Sequence, residues 1–148
     1  MRNESPQHLK RGKKKPWDPA GILLEDSIAS GPVDFGTVFG NARPVEIEIG
    51  TGKGTFLLAR ASARPECNFL GIEYARSYCI YSADRLRRAG LTNARMLCTD
   101  AATFFKIGLG DESVWRVHIY FPDPWPKKKH NRRRLIQPPF LLEVRRVL

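Results

Sequence analysis

The segment Val45–Gly54, VEIEIGTGKG, restricts the fold of this chain more than any other stretch. Val45 to Ile49 alternates apolar and acidic residues as a strand does, and Gly50, Gly52 and Gly54 then follow two residues apart. Thr55 to Ala63, small and Leu-rich, reads as a helix. A strand, a glycine turn and a helix in that order open a parallel α/β unit, and the turn lets a ligand approach backbone N–H groups. The pattern then repeats. Asn68 to Glu73 predicts a second strand, and Ala75 to Ala89 a helix with Ala75, Tyr78, Cys79, Ala83, Leu86 and Ala89 on one face, closed by Gly90. Ala94 to Cys98 predicts a third strand, Ala101 to Lys106 a short helix, and Val114 to Phe121 a fourth strand. Leu135 to Leu148 contains a last helix, starting near Pro138 and Pro139, with Phe140, Leu141, Val144 and Leu148 apolar. This βαβαβαβ order predicts a three-layer α/β sandwich around a mostly parallel sheet, with sites at the carboxyl ends of the strands.

A length of 148 residues with 42% apolar content suits one domain. The boundaries read as a basic, disordered tail over 1–16, an irregular Pro- and Gly-rich arm over 17–43, and the domain proper over 44–148. Cys67, Cys79 and Cys98 have no C-x-x-C spacing and read as small buried hydrophobes, so no metal is expected. No secretory leader and no membrane-length apolar run is visible, which predicts a soluble, cytoplasmic protein. The net charge of +10 is concentrated: residues 1–15 and Lys127 to Arg134 each hold six of the 25 basic side chains, and the remainder is nearly neutral. Two basic patches on a neutral body predict a polyanionic partner, by release of counterions from phosphates. A solvated tail remains the alternative for the first of them.

Three acids, Glu48, Glu73 and Asp100, fall at or near successive strand ends, where a doubly wound sheet converges them on one crevice. Glu73 offers two acceptor oxygens to a pair of ribose hydroxyls, and Asp100 an acceptor to an adenine amine. Glu48 lies beside the glycine turn. A dinucleotide fingerprint would require Gly or Ala at position 55, where this chain has Thr55. The spacing Gly50-x-Gly52-x-Gly54 instead resembles the loop of the class I methyltransferases. After the fourth strand comes FPDPWPKKKHNRRR, in which Pro122, Pro124 and Pro126 stiffen a loop that presents Asp123 and Trp125.

That segment, taken with EIGTGKG, GIE and TDA, closely resembles the signature of the bacterial tRNA (guanine-N7)-methyltransferases, over Phe35 to Leu148. The resemblance implies a Rossmann-like class I fold, S-adenosyl-L-methionine as cofactor and tRNA as partner, with N7 of guanine 46 in the variable loop as target. It implies that Glu48, Glu73, Asp100 and Asp123 contact the cofactor, beside the glycines Gly50, Gly52 and Gly54, and that Asp123 is catalytic. It assigns Lys127, Lys128, Lys129, His130, Asn131, Arg132, Arg133 and Arg134 to the substrate. Trp125 either stacks on the base or packs against the sheet, with packing preferred. His118, inside the fourth strand, reads as a packed structural histidine, and His8 falls in the tail. Guanine N7 carries an in-plane lone pair and no proton, so alignment, exclusion of water and stabilisation of positive charge matter more than a strong base.

The family continues beyond a helix like the last one here through a glycine turn, a fifth strand and a terminal hairpin. The domain is therefore expected to lack its C-terminal strands, leaving the apolar fourth strand as an open edge. Two other readings stand beside this one: a class I methyltransferase acting on another substrate, and an inactive RNA-binding domain that retains cofactor affinity.

Overall fold

The computed structural model describes residues 16–124 and 126–148. The basic segment 1–15 and Trp125, with the stacking-or-packing choice for its ring, lie outside those residues. Four strands, β1 (Val45–Ile49), β2 (Asn68–Glu73), β3 (Ala94–Cys98) and β4 (Arg116–Ile119), form one sheet in the order β3-β2-β1-β4. Every pairing is parallel, with Ile47 opposite both Leu70 and Val117. The helices are α1 (Phe35–Phe39), α2 (Thr55–Ala63), α3 (Arg76–Arg88), α4 (Ala101–Ile107) and α5 (Pro138–Val147).

The two-residue period of the strands divides the core in two. Ile47, Ile49, Leu70, Ile72 and Leu97 face Phe104 and Phe105 of α4 and Phe140 and Val147 of α5. Phe69, Ala94 and Met96 face Leu57 and Ala61 of α2 and Cys79, Ala83 and Leu86 of α3. The sheet is the middle of three layers, as expected. Because β1 is flanked on both sides, all five of its residues are buried, the acids Glu46 and Glu48 included.

Several boundaries differ from expectation. β4 is shorter than Val114–Phe121: its last pairing is Ile49 with Ile119, where β1 itself runs out into the glycine turn. At its start, Val114 N–H donates to the Val147 carbonyl (2.9 Å), drawing the chain to the end of α5. On α5 the buried apolar residues are Phe140 and Val147, while Leu141 and Leu148 are about half exposed. On α3, Ser82 is buried and Tyr78 is half exposed. Residues 17–43 carry a 3-10 turn (Asp26–Ser30) and α1, and they pair with the sheet at one point. There Leu24 N–H donates to the Met96 carbonyl and Met96 N–H to the Ile22 carbonyl (2.8 and 2.9 Å), so the arm covers the outer edge of β3.

Candidate active site

β1 ends in a turn built on left-handed backbone. Gly50, Gly52 and Gly54 have φ of 74°, 52° and 67°, values that only glycine adopts without strain. At Gly54 a side chain is also excluded sterically, since a Cβ would lie 2.9 Å from Cβ and Oγ of Ser82 on α3. The Ser82 hydroxyl donates to the Gly52 carbonyl (2.8 Å), which fixes the turn against α3.

Glu73, at the end of β2, ties this turn to the next one. Its Oε2 accepts from Gly52 N–H (2.8 Å) and its Oε1 from Ala75 N–H (2.9 Å). A carboxylate has about four acceptor positions, so two remain for a ligand. Asp100, after β3, caps α4 by accepting from Thr103 N–H (2.8 Å). Asp123, after β4, is exposed. Phe121, two residues earlier, has φ of 49° and its side chain is 99% exposed. A bulky residue in the left-handed region marks local strain where the chain leaves the sheet.

The glycines Gly50 and Gly52, Glu73, Asp100 and Asp123 line one cleft of about 530 Å³, together with Tyr74, Tyr78, Phe121 and Arg133. The expected acids at the ends of β2 and β3 and the proline-loop acid thus share one space. Gly54 does not line it; its place is the contact between α2 and α3. Glu48 opens instead onto an adjoining pocket of about 640 Å³ with Gly50, Thr51, Thr55, Phe56, Tyr120 and Phe121. The two spaces share Gly50 and Phe121. Glu48 is only 5% exposed, and its Oε2 has no hydrogen-bond partner. Burial pushes its carboxyl up to about 7, with the nearby charge of Glu73 adding to the shift and the Leu57 N–H opposing it.

Lys127 to Arg134 forms a 3-10 helix over Lys128–Arg133, where the sequence suggested only a charged run. His130 N–H donates to the Lys127 carbonyl (2.8 Å), and the Gln137 amide donates to the carbonyls of Asn131 and Arg134 (3.1 and 2.7 Å). All eight residues are exposed or half-buried. Arg133 reaches the cleft of Asp123, and Arg132 to Arg134 line a neighbouring hollow with Asp100 and Lys106. The basic stretch therefore borders the mouth of the acid-lined cleft.

Sequence reasoning passed over Tyr74, Tyr78, Thr51 and Tyr120. Tyr74 directly follows the strand end at Glu73, a position a sheet of this type sends to its crevice. Tyr78 carried the opposite signal, since it falls on the apolar face of α3. Among the described residues no group of three or more His, Cys, Asp or Glu could hold a metal ion, and no helix is long and apolar enough to cross a membrane.

A family model, Methyltransf_4, described as "Putative methyltransferase", matches residues 42–148. A tRNA (guanine-N(7)-)-methyltransferase of Klebsiella pneumoniae is 42% identical over 127 residues, covering 84% of this chain and 50% of that protein. A protein of the same name from Rhodopirellula baltica is 44% identical over 117 residues, covering 76% and 43%. The chain spans about half the length of the curated relatives it matches. Among solved structures, a SAM-dependent methyltransferase from Aquifex aeolicus superposes with a TM-score of 0.53 at 24% identity, over 75% of this chain and 54% of that one. A protein of Methanococcus maripaludis described as a "putative s-adenosyl-l-methionine-dependent methyltransferase" gives a TM-score of 0.54 at 14% identity, over 77% and 47%. At these identities the two structures establish the fold.

Proposed function

Since the chain belongs to the Methyltransf_4 family, we propose that it transfers a methyl group from S-adenosylmethionine to N7 of guanine in tRNA, at position 46 of the variable loop. The observation that carries this reading is the convergence of Gly50, Gly52, Glu73, Asp100 and Asp123 on one cleft beside an exposed basic helix. The residues fit the cofactor. Glu73 keeps acceptor capacity for ribose hydroxyls, Asp100 faces the same cleft, and the buried Glu48 Oε2 lacks the donor that a cationic amino-acid group would supply. When bound, S-adenosylmethionine supplies an electrophilic methyl group on a charged sulfur.

Each residue then has a physical task. Gly50 and Gly52 let the ligand lie against backbone. Asp123 accepts from the N1–H and exocyclic amine of guanine, orienting the base and offsetting the positive charge that N7 gains. Lys127, Lys128, Lys129, His130, Asn131, Arg132, Arg133 and Arg134 hold the RNA backbone, and local unstacking delivers the base. Proteins named tRNA (guanine-N(7)-)-methyltransferase at 42–44% identity support the choice of substrate. The target position is tested by comparing a tRNA transcript with one in which guanine 46 is replaced by adenine. Loss of methyl acceptance in the second is expected; equal acceptance would move the target elsewhere.

A further inference from the structure

Glu46 lies on β1 with its side chain fully buried, two residues before Glu48 and outside the cleft. Its Oε2 accepts from Nε2 of His118 on β4 (2.7 Å) and from Nε of Arg60 (3.2 Å), and its Oε1 accepts from Nη1 of Arg64 (3.0 Å). Burial pushes this carboxyl up, but the hydrogen bonds from His118 and Arg60, with the Arg60 charge, more than offset it, and the group stays below the usual carboxylate range. It is therefore the acceptor, and His118 uses its Nε2–H as the donor.

A neutral imidazole has a single N–H. In that form, with the hydrogen committed to Glu46, His118 Nδ1 presents a lone pair to which the Tyr120 hydroxyl, 3.2 Å away, can donate. The Phe56 ring packs against both, with centroids 4.9 Å from His118 and 4.8 Å from Tyr120. The hydrogen of Tyr120 is thereby occupied, and its oxygen lone pairs remain as acceptors. Tyr120 lines the pocket that holds Glu48 and meets the cleft at Gly50 and Phe121. The pocket brings together an unpartnered carboxylate oxygen, the rings of Phe56 and Phe121, and, with His118 neutral, a tyrosine oxygen whose own proton is turned away, all of which suit positive charge.

We propose that Tyr120 is a specificity-determining residue for the charged methyl-donor end of the cofactor, its hydroxyl oxygen held as an acceptor by the positioning pair His118 and Glu46. This rests on the cofactor reading above. A methyl group on a positively charged sulfur has polarised C–H bonds that a hydroxyl oxygen accepts weakly. S-adenosylhomocysteine has neither that methyl group nor the charge, so the interaction separates the two ligands.

Calorimetric binding of S-adenosylmethionine and S-adenosylhomocysteine to the parent protein, Tyr120→Phe, His118→Phe and the double variant tests it. Tyr120→Phe should weaken S-adenosylmethionine about two- to fivefold and leave S-adenosylhomocysteine unchanged. His118→Phe should reproduce that selective loss alone and add nothing in the Tyr120→Phe background. Equal losses for both ligands, or an additive effect of His118→Phe, would assign these residues to packing and overturn the proposal. A parent protein that binds neither ligand overturns the cofactor reading and this one with it. If His118→Phe fails to fold, the two affinities of Tyr120→Phe, a half-exposed position, decide the matter.

Discussion

Glu48 shows what a single buried carboxyl contributes. Its value in the fold, about 7, lies above the ordinary 4.5, so between those values the folded chain holds a proton that the unfolded chain has lost. The stability from this group is complete below about pH 4.5 and is lost as the pH rises through about 7. Glu48→Gln keeps a neutral side chain of similar shape, so its melting temperature should fall less than that of the parent across this window. Calorimetric scans at several pH values check this, and parallel curves would refute it. Ligand binding should run the other way: a cationic group pairs with the ionised form, so S-adenosylmethionine affinity should rise with pH through about 7 in the parent and stay flatter in Glu48→Gln. Asp123 makes a kinetic case. Asp123→Asn removes charge and keeps shape, and kcat should fall by roughly 10²-fold with tRNA affinity little changed. Near-parental turnover in a folded variant would leave Asp123 as a loop residue. The positions of these acids were legible in the sequence, Glu48 beside the glycine turn and Asp123 in the proline loop after the fourth strand. The Glu46–His118 bond was not, because it joins residues 72 apart across neighbouring strands.

At the scale of elements, β1, β2, β3 and α2 have the limits that their residue patterns indicate, since each carries its own period and stops at a local breaker. β4 does not, because a strand extends only as far as its partner, and that partner ends at Ile49. The 3-10 helix over Lys128–Arg133 was hidden by a run of charges with no periodic signal. Gly71, in β2, leaves room for α2 to approach the sheet: a Cβ there would come within 2.6 Å of Leu57 Cδ2 and Met96 Sδ and 2.8 Å of Thr51 Cγ2. Gly71→Ala should therefore destabilise the protein by about 1–3 kcal/mol, as overpacking does. A lowered denaturation midpoint is expected, and an unchanged one would show that α2 shifts freely.

The whole molecule joins a nearly neutral α/β body to concentrated basic charge beside its cleft. Fold class was legible from the alternation of strand and helix patterns, and the placement of the basic run followed from its position directly after β4. How that charge meets RNA is measurable as a salt dependence. Replacing Lys128, Arg132 and Arg133 with Gln should reduce the slope of log affinity against log salt by about 1 for each phosphate no longer neutralised. Identical slopes would mean that the helix is merely solvated. The central claim, methyl transfer from S-adenosylmethionine to guanine N7 in tRNA, is tested most directly by incubating the protein with methyl-labelled S-adenosylmethionine and unmodified tRNA, then digesting the RNA to nucleosides. Label recovered as N7-methylguanosine is the predicted result; label in another nucleoside, or none in the RNA, would contradict it.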